Sequence, residues 1–389
     1  MNAGADEYRI FTKSFFFVFG ALLFTALVMY VLMSTVTEYA TAMGSSAMIA
    51  GLVSGIYIFG GLCSRIYSGG ALERIGWKKT ALIFMGIHFL SCLLYFMVND
   101  VSMLLIVRFI HGIGFGASAN AIVTIASGVL PEKRFGEAFG YFMLGTTLAV
   151  GIGPFIGGLV YDFSGSSGCF LLAAIFSALA LIFIYFVDVS AHDPGNKHDG
   201  NVSSGFSMDN IFEAGAIPVS LFTALTSLGY ISILSFNRLY AAEVNLTGAF
   251  SWFFIVYCIV LIVSRPLAGK IQDNGGDMFV CVTGIVAQAV GLFLIAFYPS
   301  VLTVFVCAVC AALGFGTLNS ACTTIVTRNV SENRRSYAVS TFFIFCDATM
   351  GFGPALLGIF ALNGYAPVYF ISSLITLLAL PICVYSLRK

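Results

Sequence analysis

Twelve stretches of this chain are apolar enough to cross a hydrocarbon layer about 30 Å thick, each running about 19 to 30 residues as a helix. They lie at residues 14–37, 46–68, 80–98, 101–130, 137–162, 168–187, 215–237, 247–268, 278–298, 301–326, 336–361 and 366–387. A water-soluble fold is excluded on the same ground. The 389 residues are 59% hydrophobic and only 9% charged, whereas soluble domains carry roughly 25% charged residues. The expected class is an all-α membrane protein. The first span follows Arg9 and Lys13, shows no small-residue cleavage pattern and is succeeded by eleven more, so it reads as a retained span and not as a leader.

Cations set the orientation. Of the 18 lysines and arginines, all but Arg108 and Arg238 fall in or beside the two termini, the loops that follow even-numbered spans, or the polar stretch in the middle of the chain. Both termini are therefore expected in the cytoplasm. The opposite loops, such as Asn99-Asp100, are short and poor in cations. The formal net charge is +0, which gives no basic footprint for nucleic acid. The ten cysteines are scattered through the apolar spans, so no disulfide framework is expected. Cys307 and Cys310 form a CxxC inside span ten, where small-residue packing is the expected role.

The chain repeats itself with an offset of 200 residues. Arg65 matches Arg265, Gly69 matches Gly269, Gly76 matches Gly276, and Glu73 becomes Asp273. GFG at 114–116 recurs at 314–316, Glu132 and Arg134 recur as Glu332 and Arg334, and GxGP at 151–154 recurs at 351–354. One register thus survives four spans. A displacement of six spans preserves direction through the membrane, so two parallel six-span halves are expected, residues 1–189 and 211–389, joined by a polar cytoplasmic linker at 190–210. Its two histidines, His192 and His198, are expected to be part of a solvated tether.

Twelve spans in two parallel halves, with GGALERIGWKK at 69–79 after span two and the weaker copy GKIQDNGGD at 269–277 after span eight, resemble the major facilitator superfamily. The family's loop pattern, GxLADRxGRK, is met by Gly69, Glu73, Arg74, Gly76 and Lys78, with Lys79 adding a cation; Ala71 and Leu72 are in swapped order, Glu73 replaces an aspartate, and Trp77 replaces a cation. The resemblance implies a gating loop in which the acid is latched at the inner rim by an arginine and by the amino end of span eleven. Arg134 and residues 335–337 are the candidate partners, and Arg265, Gly269, Asp273 and Gly276 form the second copy. An anion at a helix amino end gains about 0.3–1 kcal/mol per exposed contact. Asn274 stands where the second copy would carry the paired cation, so that copy is expected to matter less.

Span five carries GIGPFIGG, residues 151–158. Proline bends a helix and glycines admit close neighbours. Gly153, Pro154, Gly157 and Gly158 resemble the GPxxGG motif of the antiporter branch, and this likeness implies export of drugs or metabolites.

Polar groups inside the spans are the remaining candidates, because a charge at the bilayer centre costs roughly 2.5–3.5 kcal/mol on insertion scales and marks a cavity or proton path. Asp347 lies about 11 residues into span eleven, near mid-membrane at about 1.5 Å per residue, and its counterpart is Thr147. Arg108 and His111 lie about one turn apart in RFIHG; exporters of the resembled family have RxxQG there, which implies a coupling role for Arg108. Asn319, Asn237 and Glu38 complete the expected proton-coupling or substrate cavity, with Glu38 at its rim. His88 and its mate Gln288 are read as helix packing.

The expected function is secondary active transport of a small organic molecule by alternating access, as proton-coupled efflux; import of a small polar solute by symport or facilitation is the alternative. No nucleotide loop, metal cluster or nucleophile constellation is legible, so neither enzyme activity, a metal nor a cofactor is expected. The expected partners are substrate, protons and lipid, and the expected setting is a monomer in a bacterial inner membrane.

Overall fold

The computed structural model describes residues 9–131, 134–189, 213–274, 276–328, 330, 335–362 and 364–388. Among these the chain is helical between short turns and contains no β-strand. The helices are α1 (Lys13–Ala42), α2 (Ala47–Ile75), α3 (Trp77–Leu94), α4 (Val101–Val129), α5 (Phe135–Phe186), α6 (Ile217–Glu243), α7 (Thr247–Asp273), α8 (Asp277–Phe297), α9 (Val301–Ala311), α10 (Thr317–Arg328), α11 (Arg335–Gly358) and α12 (Ala366–Leu387). Lipid offers backbone groups no partners, so an apolar run closes its hydrogen bonds within itself as a helix.

Among the described residues, eleven helical segments are long and apolar enough to cross a membrane. The number differs from twelve because spans five and six form the 52-residue α5, broken only at Gly165, where φ is 64°. That left-handed value suits glycine, and the polar SGSSG around it marks the reversal. Spans begin where short side chains satisfy free N–H groups: Asp100 accepts from Met103 N at 2.9 Å to start α4, and Ser300 with Thr303 forms a capping box on α9. At the other end of α5, Lys78 Nζ donates to the Val187 carbonyl at 2.6 Å, the favourable place for a cation on a helix.

The described chain forms two compact units, one of residues 1–32 and 56–204, the other of residues 33–55 and 205–389. The core of the first gathers Phe15, Val18 and Leu22 with Met85, Ile125, Phe142 and Ile184. The second gathers Phe222, Ile285, Leu318, Ile325 and Phe342.

A shared construction occurs in both units. In the first, Gly114 lets α4 approach α3 so closely that an added Cβ would stand 2.6 Å from His88 N. In the second, a Cβ on Gly314 would stand 2.5 Å from the Gln288 Cβ. Here the helix between α9 and α10 opens into a π-turn at Ala312–Gly316, and Gln288 fills the break. Its Oε1 accepts from Phe315 N at 2.7 Å, and its Nε2 donates to the Thr226 carbonyl at 2.7 Å. Gln288→Leu would strand a buried N–H. We expect a loss of about 1–3 kcal/mol, read as a lower thermal midpoint in detergent; an unchanged midpoint would show that the π-turn needs no side-chain partner.

Candidate functional site

The first unit encloses a polar cluster built on α4. Arg108 is 0% exposed, and its Cζ lies 4.4 Å from the centre of the Tyr57 ring on α2. A desolvated cation over an aromatic face gains about 2 kcal/mol or more. The guanidinium also lies within electrostatic range of the Tyr95 hydroxyl. His111, buried and one turn further along, meets the Tyr95 hydroxyl at 3.0 Å through Nδ1 and the Cys92 thiol at 3.5 Å through Nε2. Its ring packs 4.3 Å, centre to centre, from that of His88, whose Nδ1 is bonded to Ser177 Oγ at 2.7 Å. The backbone makes this possible at Gly112, where a Cβ would fall 2.0 Å from the Tyr57 carbonyl. The arrangement holds a permanent positive charge inside a protein layer by ring faces and neutral dipoles.

In the second unit Asp347 lies midway along α11 and is half-buried. It stands one turn before Gly351, in the segment GFGP that ends in the helix-bending Pro354. Thr147, its counterpart in α5, is buried. Asn319 is half-buried on α10. Asn237 is 5% exposed, and its Oδ1 has no hydrogen-bond partner, so an acceptor is held ready inside α6.

Where α1 turns into α2, the second unit is sealed by backbone contact. A Cβ on Gly55 would lie 1.7 Å from the Gly351 carbonyl oxygen, one on Gly51 2.2 Å from that of Pro354, and one on Gly358 2.5 Å from that of Ala47. The seam is therefore α2 backbone against α11 backbone, an approach that only glycine permits. Hydroxyls extend it: Thr37 Oγ1 donates to the Ser235 carbonyl at 2.6 Å, and Ser54 and Ser235 share a hydrogen bond of 2.9 Å. Beyond them Arg238 Nε donates to Glu38 Oε2 at 2.5 Å. Close by in the chain, Glu243 accepts the backbone N–H of Tyr365 at 2.7 Å. Burial first, and then the Glu243 charge, raise the Tyr365 hydroxyl pKa above its ordinary value.

A family model described as the Major Facilitator Superfamily matches residues 18–243 and again 219–389. The chain belongs to this superfamily. It is therefore a multi-pass membrane transporter. Among curated relatives, the uncharacterized MFS-type transporter MJ1560 of Methanocaldococcus jannaschii is 26% identical over 349 residues, 87% of this chain and 89% of that protein. The methylenomycin A resistance protein of Bacillus subtilis is 30% identical over 142 residues, 36% of this chain and 30% of that protein. Among solved structures, the nucleoside transporter NupG aligns with a TM-score of 0.74 at 16% identity, covering 97% of this chain and 100% of that one; this likeness is one of fold.

The remaining motif residues of this Major Facilitator Superfamily member divide by what is described. Gly69, Glu73, Arg74 and Asp273 lie where side chains fall outside the described residues, as do those of residues 335–337. Gly76 caps α3 with φ 98°, a left-handed turn, whereas Gly276 has φ −87°, so the two loop copies turn differently. Arg134 is exposed at the start of α5. Arg265 leans toward the Gly316 carbonyl at 3.4 Å, and Gly269 has open space beside it. In span five Gly153 abuts Tyr30, with 2.6 Å for an added Cβ; Pro154 and Gly158 are buried, and the Gly157 carbonyl accepts from Cys169 Sγ at 3.4 Å.

Sequence reasoning singled out Arg108 and His111 but missed Tyr57, Cys92, Tyr95 and Ser177, which hold them. It also missed Arg238 as the partner of Glu38. The signal was present, since the two stand 200 residues apart, the repeat offset itself.

Proposed function

We propose that this transporter is a proton-coupled exporter of a small organic molecule, working by alternating access as a monomer in a bacterial inner membrane with both termini cytoplasmic. The observation that carries the reading is Asp347, a half-buried carboxylate midway along an apolar helix, where an acid is costly unless it takes up a proton or meets a cation. Three further points support it. The α5 segment Gly153–Gly158 resembles the antiporter motif. The similar stretch of a B. subtilis protein belongs to one named for resistance to methylenomycin A. The cations gather at one set of loops; with those loops cytoplasmic, the glycine seam and the Glu38–Arg238 pair would be an outer closure and Glu73, Arg74 and Lys78 the inner clamp. Arg108 would serve the coupling, and Asn237 and Asn319 would face substrate.

Proteoliposomes with an acidic lumen and a trapped pH dye test the direction of coupling. Dyes, antibiotics, sugars and metallophores added in turn should include one that draws protons out of the lumen as it enters. Protons moving in the same direction as the solute would mark a symporter and overturn export. The same panel applied to overexpressing cells identifies the substrate class by reduced accumulation.

A further inference from the structure

The buried cluster beside Arg108 has the composition of a metal site. His88 and Cys92 lie four residues apart on α3 and so share a face, and His111 reaches them from α4. One donor atom from each of the three lies within 4.8 Å of the others, and all three residues are buried. Both rings are anchored through the same nitrogen: His88 Nδ1 by Ser177 Oγ, His111 Nδ1 by the Tyr95 hydroxyl. When each Nδ1 carries the hydrogen and donates it, both Nε2 lone pairs are free. His111 Nε2 then faces the Cys92 thiol, and His88 Nε2 has no hydrogen-bond partner although it is buried. Metal-binding histidines are held in this way, with the second nitrogen fixed by a hydroxyl, carbonyl or carboxylate. Bonds of about 2.0–2.3 Å put neighbouring donors about 3.5–4 Å apart; the Cys92–His111 pair already stands at 3.5 Å, and a nitrogen of His88 lies within 4.8 Å of both partners.

We propose that His88, Cys92 and His111 bind a soft monovalent cation, Cu(I), as a resident ion that ties α3 to α4. Thiolate and imidazole suit a soft metal, and charge decides between the candidates. One thiolate and two neutral imidazoles make a neutral site with a monovalent ion but a positive one with Zn²⁺. Arg108 already places a buried cation next to Tyr95 and within electrostatic range of Cys92, so surplus positive charge there is expensive. Loading is a simple exchange. The S–H bond of Cys92 breaks, its proton leaves to solvent, an S–Cu bond forms, and copper stays Cu(I) throughout. The site is independent of transport direction and of the substrate.

Gln288 occupies the position equivalent to His88 in the second unit and packs there against Gly314 as His88 does against Gly114. His88→Gln is therefore a substitution this architecture accommodates. The reduced, copper-free full chain in detergent should be titrated anaerobically with Cu(I) held by bicinchoninate. The parent is expected to withdraw about one more Cu(I) per chain than Cys92→Ser or His88→Gln. Tyr95→Phe should keep that ion but bind it roughly 10–100-fold more weakly. Equal uptake by the parent and Cys92→Ser would overturn the proposal. X-ray absorption on the singly loaded parent decides the matter even if the variants fail to fold. A mixed nitrogen and sulfur shell is expected. A shell of sulfur alone would overturn the proposal and direct copper to Cys281, Cys322 and Cys383, which are buried together in the core of the second unit.

Discussion

Asp347→Asn is expected to leave the protein expressed and folded and to reduce proton-driven accumulation to simple equilibration, with the pH dependence of transport flattened. Asparagine keeps the size and polarity of the side chain and removes only the exchangeable charge. A ligand shifts a two-state transporter no further than its differential affinity for the two states. If the proton is one ligand and the substrate the other, deleting the group that both address leaves exchange down a gradient and nothing against it. Holding the carboxylate ionised at the bilayer centre costs roughly 2.5–3.5 kcal/mol, so the substitution should not lower the thermal midpoint. The assay is substrate accumulation in proteoliposomes across an imposed pH gradient. A variant that pumps like its parent would make Asp347 structural, leaving His111 or Glu38 to carry coupling.

Gly55→Leu is expected to abolish transport by holding the α2–α11 seam open. The carbonyl oxygen of Gly351 stands 1.7 Å from where any Cβ would be, and an obstacle made of backbone cannot rotate aside. The helices would have to separate, and even modest overpacking costs about 1–3 kcal/mol, enough to shift a balanced pair of states by about 5- to 150-fold. Accessibility gives the readout. Ser54, buried and bonded to Ser235 in the closed seam, carries the probe: Ser54→Cys should resist a membrane-impermeant thiol reagent in the parent and react readily once Gly55→Leu is added. Gly248→Ala, beside which nothing lies within 4 Å, is the matched control. Continued protection of the probe would mean that the two helices relax without opening.

The membrane spans were legible because burial in lipid leaves a chain one option per apolar run, and each run is as long as the bilayer is thick. So was the reversal inside α5, since the spans at 137–162 and 168–187 leave it to the SGSSG segment, where Gly165 takes a φ of 64°. Arg108 and His111 could be found because a charge in an apolar helix is rare. Their partners could not. Tyr57, Cys92, Tyr95 and Ser177 come from other helices, and which faces meet depends on rotations set by small residues such as Gly112 and Gly114, whose roles are indistinguishable in a chain with 41 glycines. The same applies to Gly51 and Gly55, which sequence reasoning passed over. Gln288 shows a subtler limit. Its hydrogen bonds depend on a π-turn, and a single inserted residue of winding leaves no mark on apolar periodicity.

The bridge between Glu38 and Arg238 bears on the internal repeat of the chain. Positions separated by the repeat offset are equivalent in sequence, and an exact repetition would carry the same residue at both. Two identical subunits would have set like against like there, glutamate facing glutamate or arginine facing arginine. An ion pair at that place requires the copies to differ, so it is a bond that exact internal repetition of the sequence could not make.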